Sequence, residues 1–247
     1  MQQSNNLSGI LTCARYSFAP NYYKYCGPDA NKKISSYLQN SHANPNLVEI
    51  LGQFDVLFRY LSLIAHSNNI ADPFDSRVVE AYWIGNRLLE RIKPSQLGEH
   101  LLYDQELKKR LPEKMLKWVL EKVPKGAKIH HSFHVFNVFI RTGHLIAPHT
   151  IDTIDQCRIG WGKVVKVQSA KCKVQSRKLI SQNKKLVLIE SERELSAPID
   201  GSIKNKLKPG DLVSFHWGFI CDKITPQQAK NLAFYTNHNL RLANETV

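Results

Sequence analysis

The sequence predicts an α+β protein: a mainly helical N-terminal domain over residues 1–150, then a small β-barrel with a C-terminal helix over residues 151–247. Three observations predict it. Between Leu47 and Val123 apolar residues recur every three or four positions. After His149 the chain breaks into short runs rich in β-branched residues, separated by turn residues. The formal charge of +13 is also uneven, because from Cys157 onward there are 16 Lys and Arg against 7 Asp and Glu.

In the helical part, Val48, Leu51, Phe54, Leu57, Phe58, Leu61 and Ile64 would line one apolar stripe on a single helix. Val78, Val79, Tyr82, Leu88, Leu89 and Ile92 repeat the pattern after Asp72-Pro73-Phe74-Asp75, and Pro94 should end that second helix. Pro112 can sit in the first turn of a third, which carries Met115, Leu116, Val119 and Leu120 and stops before Pro124. Ile129 to Ile140 is aromatic and β-branched and runs into Gly143, which predicts a strand. The domain boundary falls near residues 147 to 156. Strands are expected over Gly162 to Val167, Cys172 to Arg177, Lys185 to Ile189 and Asp211 to Phe219, the last preceded by the turn Lys208-Pro209-Gly210-Asp211. Thr225-Pro226-Gln227-Gln228 has the form of a capping box and leads into a final helix over Ala229 to His238.

Hydrophobic residues at 43% and charged residues at 22% describe an ordinary globular chain. No apolar run approaches the roughly 20 residues needed to span a bilayer, and Met1-Gln2-Gln3-Ser4-Asn5-Asn6 lacks the pattern of a signal peptide. A cytoplasmic protein with no membrane span is the expectation. Five cysteines at irregular spacings, with no CxxC pair, indicate reduced thiols rather than a disulfide framework or a local zinc knuckle.

Cys157 and His216 are the leading candidates for chemistry. If a thiol and an imidazole on two strands of one barrel converge, they make a two-ligand soft metal site with open positions. The run Cys157 to Val165, the segment Gly210 to Ile220 and Thr225-Pro226-Gln227-Gln228-Ala229 together resemble, in the same order, the HypC/HupF hydrogenase assembly chaperones. That resemblance implies an OB-like barrel in which Cys157 and His216 hold or relay an iron centre carrying cyanide and carbon monoxide. The partners it implies are hydrogenase maturation proteins or the large-subunit precursor of a nickel–iron hydrogenase. Cys157 lies inside the chain, whereas the family's cysteine becomes the chain terminus, and Trp161 stands where the family has proline.

Two further places could supply ligands. His130 and His134 share a face whether the segment is a strand or a helix, with His131 pointing the other way on a strand. No Glu follows His130, so an HExxH zinc motif is excluded. Cys26 precedes Gly27-Pro28 in an irregular segment and could be an exposed thiol. Ala14 to Asn21, Tyr25 to Asp29, Asp72 to Asp75, Val78 to Asn86 and His130 to Asn137 resemble the DUF6390 family over most of residues 10 to 145, a resemblance that implies no reaction. Arg15, Arg77, Glu80, Trp83 and Asn86 could line a pocket or form a solvated face.

Two other functions compete. Arg158, Lys163, Lys166, Lys171 and Lys173, with Trp161 and Trp217 as stacking faces, would suit an OB-like module that binds single-stranded nucleic acid. Alternatively His130, His134, Cys26 and the barrel thiol could surround the metal of an enzyme at the junction of the two parts.

Overall fold

The computed structural model describes residues 2–142 and 149–246, with side chains described from residue 7. Gly143 and residues 147 and 148 of the expected boundary lie outside them. The helical part comprises α1 (Gln2–Tyr22), α2 (Asn31–Gln39), α3 (Pro45–Gly52), α4 (Asp55–Ser67) and α5 (Ser76–Trp83). It continues with a 3-10 turn (Arg87–Arg91), α6 (Pro94–Glu99), a π turn (His100–Asp104), α7 (Leu107–Arg110) and α8 (Glu113–Leu120). No helix among the described residues is long and apolar enough to cross a membrane.

The stripe from Val48 to Ile64 divides into two helices instead of one. Asn44 caps α3 by accepting from the Leu47 amide at 3.1 Å, and the chain turns at Gln53-Phe54 before α4 begins. Phe54 is turned out of helical geometry, and its ring lies 2.3 Å from where a Cβ on Gly27 would sit. Gly27 has φ +79°, so the close approach and the positive φ both require glycine there. The second helix also stops earlier than its periodicity predicts. It ends at Trp83 because Gly85 takes φ +95°, and Pro94 opens α6 rather than closing its predecessor. Pro112 caps α8 from just outside its first turn.

The strand expected over Ile129 to Ile140 is a helix. His131–Phe133 (α9), a π turn at His134–Phe139 and Ile140–Thr142 (α10) follow without a break. His130 caps this run, its Nδ1 accepting from the Ser132 amide at 3.1 Å. Phe133, Val135, Phe136, Asn137 and Val138 are all buried, and a helix buried on every side reads as a continuous apolar run. Packing between neighbouring elements overrides the strand preference of its aromatic and β-branched residues.

Next come α11 (Ile151–Cys157), then β1 (Gly160–Val167), β2 (Lys171–Gln182), β3 (Lys185–Ser196), α12 (Gly201–Lys204), β4 (Leu212–His216), β5 (Phe219–Lys223) and α13 (Pro226–Ala243). The five strands close on themselves in the order β1-β2-β3-β5-β4. All neighbours are antiparallel except β3 and β5, which meet in parallel at Ser196 and Phe219. β2 and β3 form a long hairpin whose turn, Asn183-Lys184, has φ +51° and +59°, the geometry that matches strand twist in two-residue turns. The expected strand Asp211 to Phe219 is a second hairpin, folded at Trp217-Gly218 with φ +48° and +77°. Val164, Cys172, Val174, Leu195, Val213, Phe215 and Ile220 fill the interior.

The sheet and the helices share one core. Tyr16, Trp83 and Phe133 cluster with Ile159, Trp217 and Cys221, and two adjacent residues of α1 grip the sheet. Arg15 pairs with Asp200 at 3.2 Å and Asp222 at 2.6 Å, the Tyr16 and Ser214 hydroxyls meet at 2.6 Å, and the Tyr16 carbonyl accepts from His216 at 2.7 Å. The capping box at Thr225 forms, with Thr225 Oγ1 accepting from the Gln228 amide and Gln228 Oε1 from the Thr225 amide.

α13 returns to the helical part through Tyr235, whose ring lies 2.0 Å from the position a Cβ on Gly85 would take. Gly85→Ala should therefore cost about 2–4 kcal/mol, from backbone strain and overpacking together. Gly98→Ala, inside α6 with nothing within 4 Å, should be neutral or stabilising by up to about 1 kcal/mol. Urea unfolding midpoints of the two variants measure the difference.

Candidate metal centre

The last residue of α11, the last residue of β4 and the first residue of α9 meet where the sheet joins the helices. Cys157, His216 and His131 each offer a ligand atom there, and the three atoms lie within 4.8 Å of one another. Cys157 therefore stands at a helix C-terminus and not on a barrel strand, which begins only at Gly160. The Trp217 amide donates to the Gln156 carbonyl at 3.0 Å, tying the β4–β5 turn to this helix end.

The protonation of both imidazoles follows from their partners. A carbonyl oxygen only accepts, so His216 carries its proton on Nδ1, which donates to Tyr16. Its Nε2 is left with a lone pair, buried and without a hydrogen-bond donor. The Cys157 carbonyl also faces this ring, but as an acceptor it cannot satisfy that lone pair. His131 donates from Nε2 to the Cys157 carbonyl at 2.8 Å, so its Nδ1 accepts from the Tyr82 hydroxyl at 3.1 Å. The two rings meet edge to face with centroids 5.2 Å apart.

Burial sets the charge state of the cluster. It holds the His216 pKa down to about 4, and burial followed by the nearby His216 and His134 holds His131 well below its usual range. Both are neutral at pH 7, the form that can coordinate a metal. Burial pushes the Cys157 thiol well up, with the nearby Cys26 adding to the rise. The Trp217 indole N–H, turned toward the sulfur and without a hydrogen-bond acceptor, opposes that rise. The negative end of α11 gives a free thiolate no help.

This donor set fits a transition metal. One thiolate and two imidazoles suit zinc, copper or iron, and three protein ligands leave a coordination position open. The hydrogen bond from His216 Nδ1 to a backbone carbonyl is the support that metal-bound histidines ordinarily have, and the lone pair it directs into the cluster has no other partner. His131 would coordinate through Nε2 by shifting its proton to Nδ1, with the Tyr82 hydroxyl turning from donor to acceptor.

Cys157 and His216 are thus brought together, while the other candidate ligands stand apart from this trio. His130 caps its helix and stacks on Tyr235. His134 faces the Tyr60 hydroxyl at 3.4 Å, on the same helical face as His131 but one turn away. Cys26 is exposed, in a turn held by Asn21 donating to the Cys26 carbonyl at 2.8 Å; its surroundings still push the thiol up to about 11, chiefly by desolvation. On a strand His131 would point away from His130 and His134. Its signal is the three-residue spacing to His134, which on a helix gives the two a common face.

Other candidates are engaged elsewhere. Arg158 is not a groove residue: it is buried, pairs with Asp155 at 2.8 Å and donates to the Arg177 carbonyl. Trp217 is not an open stacking platform, since it is buried with its ring 4.2 Å from that of Tyr25. Lys173 pairs with Glu192 at 3.0 Å and Lys171 with Glu194 across the β2–β3 hairpin. Lys163 and Lys166 are exposed, and Trp161 is half-buried beside Arg158. Of the expected pocket residues, Arg15 is held by its two aspartates, Arg77 by Asp75 at 2.8 Å, and Glu80 by Asn86 and Gln228.

Trp83 alone of that group lines a cavity of about 360 Å³, which also touches Cys26, His131, His134, Cys157 and His216. The model of a family of unknown function, DUF6390, matches residues 5–247. The chain belongs to the DUF6390 family. The match runs through the β-sheet as well as the helices, beyond the 10 to 145 that the sequence segments covered, so both sides of the cavity belong to the DUF6390 unit. No curated protein and no solved structure matches the chain.

The depressed histidine pKa values have a consequence for stability. The unfolded chain takes up protons near pH 6.5, whereas folded His216 and His134 resist protonation to about 4 and burial holds His131 well below its usual range. Unfolding then consumes protons below pH 6.5, so the histidine contribution to stability falls as the pH drops and is flat above. The melting temperature should be constant from pH 7 to 8 and decline from 6.5 to 5, above the carboxylate range. A flat profile over that window would contradict the neutral buried cluster.

Proposed function

We propose that this protein is a metal-centre factor in which Cys157, His216 and His131 hold a transition-metal ion, with an open coordination position toward the cavity. The supporting observation is the convergence of three ligand atoms within 4.8 Å from segments far apart in sequence, one of them a buried imidazole lone pair with no donor. The resemblance of Cys157 to Val165 and of Gly210 to Ile220 to the HypC/HupF chaperones extends the reading. In that extension the cargo is an iron fragment carrying diatomic ligands, held or relayed during nickel–iron hydrogenase maturation, and the partners are maturation proteins or the large-subunit precursor. The sheet would then serve as the OB-like barrel of such a chaperone.

The protein's own groups account for pH-dependent holding. Both imidazoles are already neutral, so only Cys157 must lose a proton when the ion is bound. Binding then releases one proton and strengthens about tenfold per pH unit while the thiol remains protonated in the free protein. The Trp217 indole N–H faces the sulfur and favours its anionic form.

A metal-dependent enzyme at the junction is the second reading, supported by the cavity of about 360 Å³ against the cluster. A nucleic-acid module draws less support. Lys171, Lys173 and Arg177 of β2 are paired with Glu194, Glu192 and Glu190 of β3, and Arg158 is buried.

Cobalt(II) or iron(II) added anaerobically to the purified chain should bind one ion per chain, with a thiolate-to-cobalt charge-transfer band. Cys157→Ala should remove that band, and His216→Ala and His131→Ala should each weaken binding at least about 10- to 100-fold, as loss of even an outer-shell partner does. His130→Ala should bind as the wild type, and circular dichroism checks that each variant is folded. Unchanged affinity in Cys157→Ala would refute the centre. Co-purification of iron-loaded protein with a hydrogenase large-subunit precursor separates the assembly role from the enzyme.

A further inference from the structure

The cavity has a chemistry of its own beyond the three ligands. Its walls are apolar and largely aromatic, formed by Phe54, Leu57, Tyr82, Phe139 and Trp217. Among its lining residues is a single arginine, Arg110, at the end of α7. The guanidinium lies near enough to His134 and Tyr60 to lower the pKa of the first and to oppose the rise of the second.

No carboxylate among the described residues forms an ion pair with Arg110. Asp55, which also lines the cavity, is taken by Arg59 at 2.8 Å. Glu106, one turn before Arg110, lies near enough to feel its charge but is paired with Lys109 at 2.7 Å, and Arg110 itself is exposed. His216, whose Nε2 is buried without a donor, also lines the cavity.

We infer that the cavity is a binding site for a small organic monocarboxylate with a ring-sized apolar body. The apolar body packs against the aromatic walls, and the carboxylate takes the two-pronged hydrogen bonds that a guanidinium offers. A phosphate or a dicarboxylate fits less well, because one arginine offsets one negative charge and the walls supply no second cation. Cys157, His131 and His216 line the same cavity. Binding through Arg110 and the walls does not require a metal ion, so this inference stands apart from the metal-centre reading.

Metal-free full-length protein can be titrated with phenylacetate, benzoate and 3-phenylpropionate, and with the corresponding amides. The quenching of tryptophan fluorescence is the readout, since Trp83 and Trp217 line the cavity. At least one acid should bind saturably and about tenfold or more tightly than its amide, as expected for a charge-assisted pair. Arg110→Met should abolish that preference while leaving cobalt affinity unchanged, because Arg110 is not among the ligands. Leu57→Trp should weaken acid and amide alike by filling the space. Cys157→Ser, which removes the metal site, should keep the acid preference. Failure of all three acids to bind, equal binding of acid and amide, or an Arg110→Met variant that retains the preference would each overturn the inference without touching the metal-centre reading.

Discussion

The hydrogen bond from His216 Nδ1 to the Tyr16 carbonyl, 2.7 Å long and bridging 200 residues of sequence, is the contact on which the assembly turns. It is flanked on α1 by the Arg15 pairs to Asp200 and Asp222 and by the Tyr16 hydroxyl on Ser214. Two adjacent residues of one helix, Arg15 and Tyr16, therefore engage β4, β5 and the loop before α12. With the sheet held in that orientation, the end of β4 faces the starts of α9 and the end of α11. The same bond decides which nitrogen of His216 carries the proton and leaves the other directed into the cluster.

Burial then determines what the cluster can do. A cysteine nucleophile requires a stabilised thiolate, ordinarily from a helix N-terminus or a cationic neighbour. Cys157 has the opposite surroundings: a helix C-terminus, two imidazoles held neutral and a high pKa. A metal ion changes the balance, because its charge displaces the thiol proton and the neutral imidazoles are already in the coordinating form. Trp217 adopts φ +48°, a conformation in which a bulky residue is uncommon, and its indole thereby packs on Tyr25 and faces the sulfur. Backbone strain of this kind gathers at functional sites, and here the strained residue lines both the cluster and the cavity.

The basic composition has a quieter explanation than its size suggests. On the β2–β3 hairpin Lys171, Lys173 and Arg177 alternate outward and meet Glu194, Glu192 and Glu190 across the ladder. Exposed pairs of this type contribute little to stability, about 0–1 kcal/mol each. Opposite charges across neighbouring strands do favour the correct pairing over a slipped one. Asp155 plays the corresponding role inside, receiving Arg158 and Arg193 and the Leu179 amide, and so docks α11 onto β2.

Local physical chemistry alone determined much of this protein. Short-range periodicity and turn residues were enough for the α+β class, β1 and the first halves of β2 and β3, the Lys208 to Asp211 turn and the Thr225 capping box, because each depends on neighbours within a few positions. The pairing of Cys157 with His216 was legible as a hypothesis from motif order. Tertiary structure decided the rest. The segment around His131 is a helix only because it is buried on every side, and that change of periodicity is what turns His131 toward Cys157 and His216. The split at Phe54 depends on Gly27, the stop at Gly85 on Tyr235, and the neutrality of the histidines on desolvation by residues far away in the chain. A sequence records which donors exist; which of them share a dielectric, a face and a few ångströms of space is a property of packing.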